Sequence, residues 1–358
     1  MAGWSTHNTS TRGGMNLTKS KLNIGVIGLG RIGRVYAENL AHYVPAANLV
    51  AVADTRADVA QSFASEHCVS KWYENHHDLL SDKDIVAVAV ATPTSTHEQV
   101  VTEAADAGKA IFCEKPISLS IEEAEQMLAA VRRAGVFLQM GFQRRFDSGY
   151  LDAKRKVDAG VIGTPVLITL TSRDPFAPPL EFCDPKISGG LIIDLGIHDF
   201  DLARMFVGEV SSVYATGAAL AYPEMKSVGD IDNAVVNLVF ENGSLGLVQL
   251  SRNAVFGYDI RTEIWGTKGS LQIGYFRHTP VLVMTKEGIT HDVVPHFMQR
   301  FANAYLSQIR DFVENVLKGS EPSVRGADAL AALQISVAAT DSVRHRKLVA
   351  VQRIPRQG

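Results

Sequence analysis

Apolar and polar positions alternate in blocks along the first 145 residues. The run LNIGVIG (22–28) is almost continuously apolar and bounded by glycine. RIGRVYAENLAHY then repeats apolar residues at helical spacing, with Ile32, Val35, Tyr36 and Leu40 on one stripe. The same alternation continues through LVAVAD (49–54), a helical RADVAQSFASEH, VSKWY, the β-branched run IVAVAVATP (85–93) and a helical HEQVVTEAADAGK. It closes with AIFCEKP, the helix SIEEAEQMLAAVRRAG and the strand VFLQMGF (136–142). Ser120 and Glu123 predict a capping box for that last helix, and Gly135 its stop. Strands alternating with helices imply a parallel, doubly wound sheet with right-handed crossovers.

From about residue 147 the pattern changes. A basic helix, GYLDAKRKVDAG, leads into VLITLTSRD, and GGLIIDLGIHDFDLARMFVG reads as one helix. SSVYATGAAL, NAVVNLVFENG, SLGLVQLSRN, RTEIWGTKG and SLQIG follow as strands, with Asn242-Gly243 as a hairpin turn. FMQRFANAYLSQIRDFVENVLKG carries Phe297, Phe301, Tyr305, Ile309 and Phe312 near one face, and ADALAALQISVAATDSVRHR is the last helix. The expected architecture is α/β. A dinucleotide-binding domain spans residues 21–146. An α+β domain spans 147–358, with a large, mostly antiparallel open sheet. Residues 1–20 are polar without an apolar centre and read as a disordered lead, with Met15 a candidate start.

Composition narrows the class. The chain has 358 residues, 46% hydrophobic and 20% charged, with a net charge of −3. This excludes a general nucleic-acid binder, and no run has the length of a membrane span. Three cysteines without CxxC spacing suggest reduced thiols and a cytoplasmic setting.

Gly28-Leu29-Gly30-Arg31-Ile32-Gly33 is a G-x-G-x-x-G turn between a strand and a helix. Gly28 makes the turn, Gly30 admits a pyrophosphate, and Gly33 lets helix and strand pack closely. Asp54 ends the second strand at the spacing of a residue that binds the adenosine 2′-hydroxyl, which favours NAD over NADP. Arg56 is the nearby group that could instead meet a 2′-phosphate. Thr55 joins the candidate cofactor contacts, as do Thr92-Pro93-Thr94 at the fourth strand's end, with His97 and Glu114. Lys115, at the carboxyl end of the fifth strand, is suited to hydrogen-bond a reacting oxygen. Pro116 restricts its backbone. Asp194 and His198, four apart, would share a helix face, so that the carboxylate orients the imidazole as a base. Asp199 and Asp201 offer metal ligands, but no close His or Cys completes a set, and no metal is expected.

The ordered set resembles the Gfo/Idh/MocA family of nicotinamide-dependent oxidoreductases across roughly residues 22 to 350. It comprises the glycine turn, the acidic second strand, Glu114-Lys115-Pro116 and GG-x(3)-D-x(3)-H. GFQRRFD (141–147), GIHDFDLARMFVG (196–208) and SRNAVFGYDIRTEIWGTKGSL (251–271) look most like its inositol-oxidising branch. The resemblance implies that Lys115, Asp194 and His198 are catalytic and that Arg144, Asp174 and Tyr258 contact substrate. Gln143 stands where related enzymes often carry an apolar residue. It further implies a polyol or sugar substrate, oxidised by NAD, and a homo-oligomer, with a tetramer expected. The alternatives are another sugar oxidoreductase, acting on an aldose or anhydrosugar, and a non-catalytic NAD-binding regulator.

Overall fold

The computed structural model describes residues 21–275 and 277–352, so the expected lead at 1–20 lies outside the described residues. Six strands make the first sheet: β1 (Leu22–Ile27), β2 (Ala47–Ala53), β3 (Lys71–Tyr73), β4 (Ala87–Val90), β5 (Ala110–Glu114) and β6 (Leu138–Gly141). All pair in parallel in the order β3-β2-β1-β4-β5-β6. The order reverses between β1 and β4, which opens a crevice at the carboxyl ends of the strands. Helices α1 (Arg31–His42), α2 (Ala57–Glu66), α3 (His76–Ser81), α4 (His97–Asp106) and α5 (Ile121–Ala134) connect the strands. Covering both faces requires apolar runs rather than alternation, and β4 is buried at every position.

α5 begins and ends as its residues predict. Ser120 Oγ accepts the Glu123 N–H at 3.1 Å, and Gly135 closes the helix at φ +64°. The capping box itself does not form, because Ser118 Oγ donates to the Glu123 carboxylate.

After α6 (Ser148–Asp158) comes the second sheet: β7 (Pro165–Arg173), β8 (Val210–Ala218), β9 (Asn233–Phe240), β10 (Leu245–Ser251), β11 (Asp259–Gly266) and β12 (Gly269–Ile273). Its order is β12-β11-β7-β10-β9-β8, with a last edge strand at Val349–Ala350. Only β7 and β10 run parallel; the other neighbours are antiparallel. Gly243, at φ +84°, turns β9 into β10 as Asn242-Gly243 predicts.

Between β7 and β8 lie four helices: the one-turn α7 (Leu180–Cys183) and α8 (Pro185–Ser188), then α9 (Gly190–Asp194) and α10 (Ile197–Val207). The single helix expected over GGLIIDLGIHDFDLARMFVG is therefore two. The break has a steric cause. A Cβ on Gly196 would lie 2.6 Å from the Ile192 carbonyl oxygen and 2.8 Å from Leu250 Cδ1 of β10. The chain passes Leu250 only as glycine; Leu195 and Gly196 keep helical φ and ψ, but the Gly196 N–H reaches back to Leu191 O at 3.3 Å, a wider turn that offsets α10 from α9.

A small hairpin, β13 (Leu282–Thr285) and β14 (Gly288–His291), precedes α11 (Phe297–Arg300), α12 (Ala302–Lys318) and α13 (Gly326–His345). The edge strand Val349–Ala350 is β15. The helix expected over 297–319 is also divided, at Phe301 (φ −115°). α12 packs on α1 and β5, and α13 lies between β8, α10, α5 and β6. Phe112 of β5 meets Tyr36 of α1 and Phe312 of α12 edge-on, with centroids 5.0 and 5.8 Å apart. Both sheets thus share one apolar interior with the C-terminal helices, and the crevice of the first sheet faces α9 and α10.

Candidate active site

The glycine turn follows its expected division of labour. Gly28 has φ +90°, and a Cβ there would lie 2.7 Å from the Ala91 carbonyl oxygen. A Cβ on Gly33 would fall 1.8 Å from Gly28 O, so α1 can sit against the turn only with glycine. A Cβ on Gly30 meets nothing within 4 Å. Gly30 also caps α1 without any side-chain bond, leaving the helix N–H groups to an anion. Open space at Gly30 and an uncapped helix end fit a dinucleotide pyrophosphate.

Asp54 sits at the end of β2 with its carboxylate oriented by backbone. Its Oδ2 accepts the Leu29 N–H at 2.8 Å and its Oδ1 the Arg56 N–H at 3.0 Å. Partial burial alone would raise its pKa. The Arg56 and Leu29 N–H donors and the Arg56 guanidinium at 3.3 Å bring it below the usual carboxylate range. It is an anion at the carboxyl edge of the first sheet, beside the glycine turn. Thr55 and Arg56 beside it are exposed, as is Arg31, whose guanidinium lies 5.2 Å from the Phe297 ring of α11. Ile32 is half-buried against the core.

On the other wall, Thr92 Oγ1 accepts the Thr96 hydroxyl at 2.8 Å, and Pro93 and Thr94 form the turn into α4. His97 differs from its expected role. It is only 1% exposed, and its ring nitrogens face Pro116 O at 2.9 Å and Thr92 O at 3.1 Å. Burial lowers its pKa, while the carbonyl acceptors at Pro116 and Thr92 work the other way. The ring fastens two wall segments together instead of presenting itself to a cofactor.

Glu114 likewise turns inward. Its carboxylate accepts the Tyr36 hydroxyl and, at 3.0 Å, the Lys115 N–H, the backbone bond that explains a charge at the strand's end. Lys115, joined to Pro116 by a cis peptide, points the other way. Its Nζ donates to Asp194 O at 2.8 Å and Asp194 Oδ1 at 3.2 Å, bringing β5 to the end of α9.

Here the pairing expected of Asp194 and His198 fails. No hydrogen bond joins them; the break at Gly196 removes the shared helix face. The Asp194 carboxylate faces Lys115 and, at 3.5 Å, Arg252. His198 is buried with Nδ1 unbonded and its ring edge-on to Phe142. Burial, then the cationic Arg144 and Lys115, hold its pKa well below the usual imidazole value, which keeps the ring neutral.

Arg144, on the turn Gln143–Phe146, is fully buried. It donates to Asp199 Oδ1 and Ser172 Oγ, both at 2.9 Å, while Nε and Nη2 have no partner. Arg145 binds Asp201 through two bonds of 2.8 and 2.6 Å. Asp199 and Asp201, weighed as metal ligands, are thus engaged with arginines. The Gln143 Oε1 is buried and unbonded. Burial, then the Asp194 charge, raises Asp174 to about 6. Tyr258 is buried, which raises its phenol pKa further above normal.

Arg252, from the segment 251–271, joins the site beside Asp194. It is 1% exposed, 3.5 Å from Asp194 and 3.8 Å from Asp230, and it donates to Cys183 Sγ at 3.4 Å. Its place is just beyond β10, at the sheet end that faces α9. Asp230 in turn accepts the Leu191 N–H at 3.0 Å, anchoring α9 from behind.

The chain matches known proteins over nearly its whole length. Residues 22–142 match the model of the oxidoreductase family's NAD-binding Rossmann fold, and residues 154–351 that of its C-terminal alpha/beta domain. The chain is 43% identical to scyllo-inositol 2-dehydrogenase (NAD(+)) of Bacillus subtilis, over 91% of this chain and 95% of that one. It is 39% identical to myo-inositol 2-dehydrogenase of Thermotoga maritima, over 93% and 99%. A crystal structure of scyllo-inositol dehydrogenase from Lactobacillus casei with NAD(H) and scyllo-inositol superposes with a TM-score of 0.89. That pair is 34% identical, covering 93% of this chain and 99% of that one. The chain, with its glycine turn, its acidic second strand and its Lys115 facing Asp194, belongs to the Gfo/Idh/MocA family of NAD-binding oxidoreductases.

Proposed function

We propose that this protein oxidises one secondary alcohol of an inositol to the ketone, using NAD. The observation that carries the reading is the convergence of Lys115, Asp194 and neutral His198 beside the crevice that Gly30 and Asp54 prepare. Bound there, NAD would accept a hydride from the carbinol carbon. His198 takes the hydroxyl proton, since burial keeps its imidazole neutral. Lys115 donates a hydrogen bond to the same oxygen as negative charge develops on it. Asp194 holds the Lys115 ammonium rather than the imidazole, and Arg252 steadies Asp194 from the far side. The unpaired Arg144 nitrogens, Asp174, Gln143 and Tyr258 supply donors and acceptors for the remaining hydroxyls. A site of such groups rejects analogues that leave them unpaired.

The same reading makes the enzyme cytoplasmic and a homotetramer. Support for association comes from one row of the second sheet: Trp265, Leu167, Leu245 and Val239 are direct cross-strand partners, and all four are exposed. A monomer by light scattering contradicts the tetramer.

The substrate reading is tested by NADH formation with myo- and scyllo-inositol beside glucose, xylose and a uronic acid. An inositol should give the highest kcat/KM, and NADP should serve poorly. Preference for an aldose moves the enzyme to another branch of the family. No turnover with any of them supports a non-catalytic regulator.

A further inference from the structure

Away from the crevice, two helices bring three donor atoms to one point. Asn75 caps α3, accepting the Asp78 N–H at 2.9 Å and donating to its carboxylate at 2.8 Å. The cap makes His76 and His77 the first two residues of the helix. Successive helical residues diverge by about 100°. These two rings nonetheless lie together, with centroids 4.1 Å apart. They reach the same place because His76 presents Nε2 and His77 presents Nδ1. Both meet one oxygen, Oε2 of Glu103 on α4, at 2.7 and 3.0 Å. The other Glu103 oxygen accepts Gln99 Nε2 at 3.0 Å, which turns Oε2 to the rings.

A hydrogen-bonded ion pair needs one imidazole for one oxygen; here a single oxygen serves two. The three donor atoms lie within 4.8 Å of one another. A tetrahedral zinc ion with bonds of about 2.1 Å has ligand–ligand edges of about 3.4 Å. The two spacings to Glu103 Oε2 need to open by about 0.7 and 0.4 Å, and the side chains are 20%, 60% and 32% exposed, free to rotate by that much. Solvent supplies the fourth ligand. We propose that His76, His77 and Glu103 form a binding site for a divalent transition-metal ion of the zinc class, clamping α3 to α4.

The clamp joins both walls of the cofactor crevice. α3 follows β3, where Tyr73 O accepts the Asp54 N–H at 3.3 Å. α4 begins with His97, which fastens the Thr92 and Pro116 segments. The metal's role is therefore to brace the crevice, without touching the reacting atoms.

Calorimetric titration of the untagged full chain with Zn²⁺ tests this, comparing wild type, His77→Ala, Glu103→Gln and His42→Ala. The last removes a separate histidine pair, His42 and His67, 2.9 Å apart. One equivalent should bind the wild type and His42→Ala alike, and bind at least about tenfold more weakly to the other two. Zn²⁺ should raise the Tm of the wild type and not that of Glu103→Gln. A wild type that binds no Zn²⁺, or binding that survives in both site variants, overturns the proposal.

Discussion

Glu114 is a carboxyl whose burial and partners pull in opposite directions. Burial pushes its pKa up to about 7, although the Tyr36 hydroxyl and the Lys115 charge and N–H all favour the anion. Gln308 of α12 donates to the same Tyr36 oxygen, so the group ties the second half of the chain to the backbone of Lys115. A folded pKa above the unfolded value means that the fold favours the protonated form. That contribution is complete below about 4.5 and is lost as the pH rises through about 7. Glu114→Gln cannot titrate. Wild type should therefore lose stability relative to Glu114→Gln across that window, by roughly 3 kcal/mol at most, and then level off. Urea midpoints at a series of pH values measure it; a difference independent of pH contradicts the assignment. At this scale the motifs were enough to single out Lys115, His198 and Asp54 as candidates. Side chains whose direction depends on distant partners were harder to read: His97 turns inward onto Thr92 and Pro116, and no hydrogen bond joins Asp194 to His198.

Among elements, the glycine turn and the α9–α10 junction obey the same steric logic with different legibility. Gly33 faces Gly28, five residues away, and the motif announces it. Gly33→Ala should push α1 off the turn, weaken NAD binding at least about tenfold and lower the Tm, since overpacking costs about 1–3 kcal/mol. NAD titration by calorimetry checks this, and unchanged affinity would sink the packing role. Gly196 faces Leu250, on a strand far along the chain, and nothing local announces that contact. Apolar spacing alone reads through it as one helix, and with that reading came the mistaken Asp194–His198 pair. β4 and β5 were legible because two-sided burial leaves a continuous apolar run.

For the whole molecule, the alternation of strands and helices was enough to anticipate the parallel sheet, and the later strand series the mostly antiparallel one. The parallel β7–β10 pair was not legible, because strands far apart in sequence leave no local trace of their direction. Nor was the return of α12 and α13 onto β5, β6 and α5, which merges the two halves into one interior. That return holds the C-terminal half against the crevice and so keeps α9 and α10 opposite Lys115. In the proposed reaction Lys115 and His198, from opposite sides of this interior, act on one oxygen. The most direct measurement is kcat with the best inositol, beside the NAD dissociation constant, for Lys115→Ala and His198→Ala. Both variants should lose roughly 10²- to 10⁴-fold in kcat while binding NAD within about threefold of wild type. Near-normal turnover in either variant would contradict the claim.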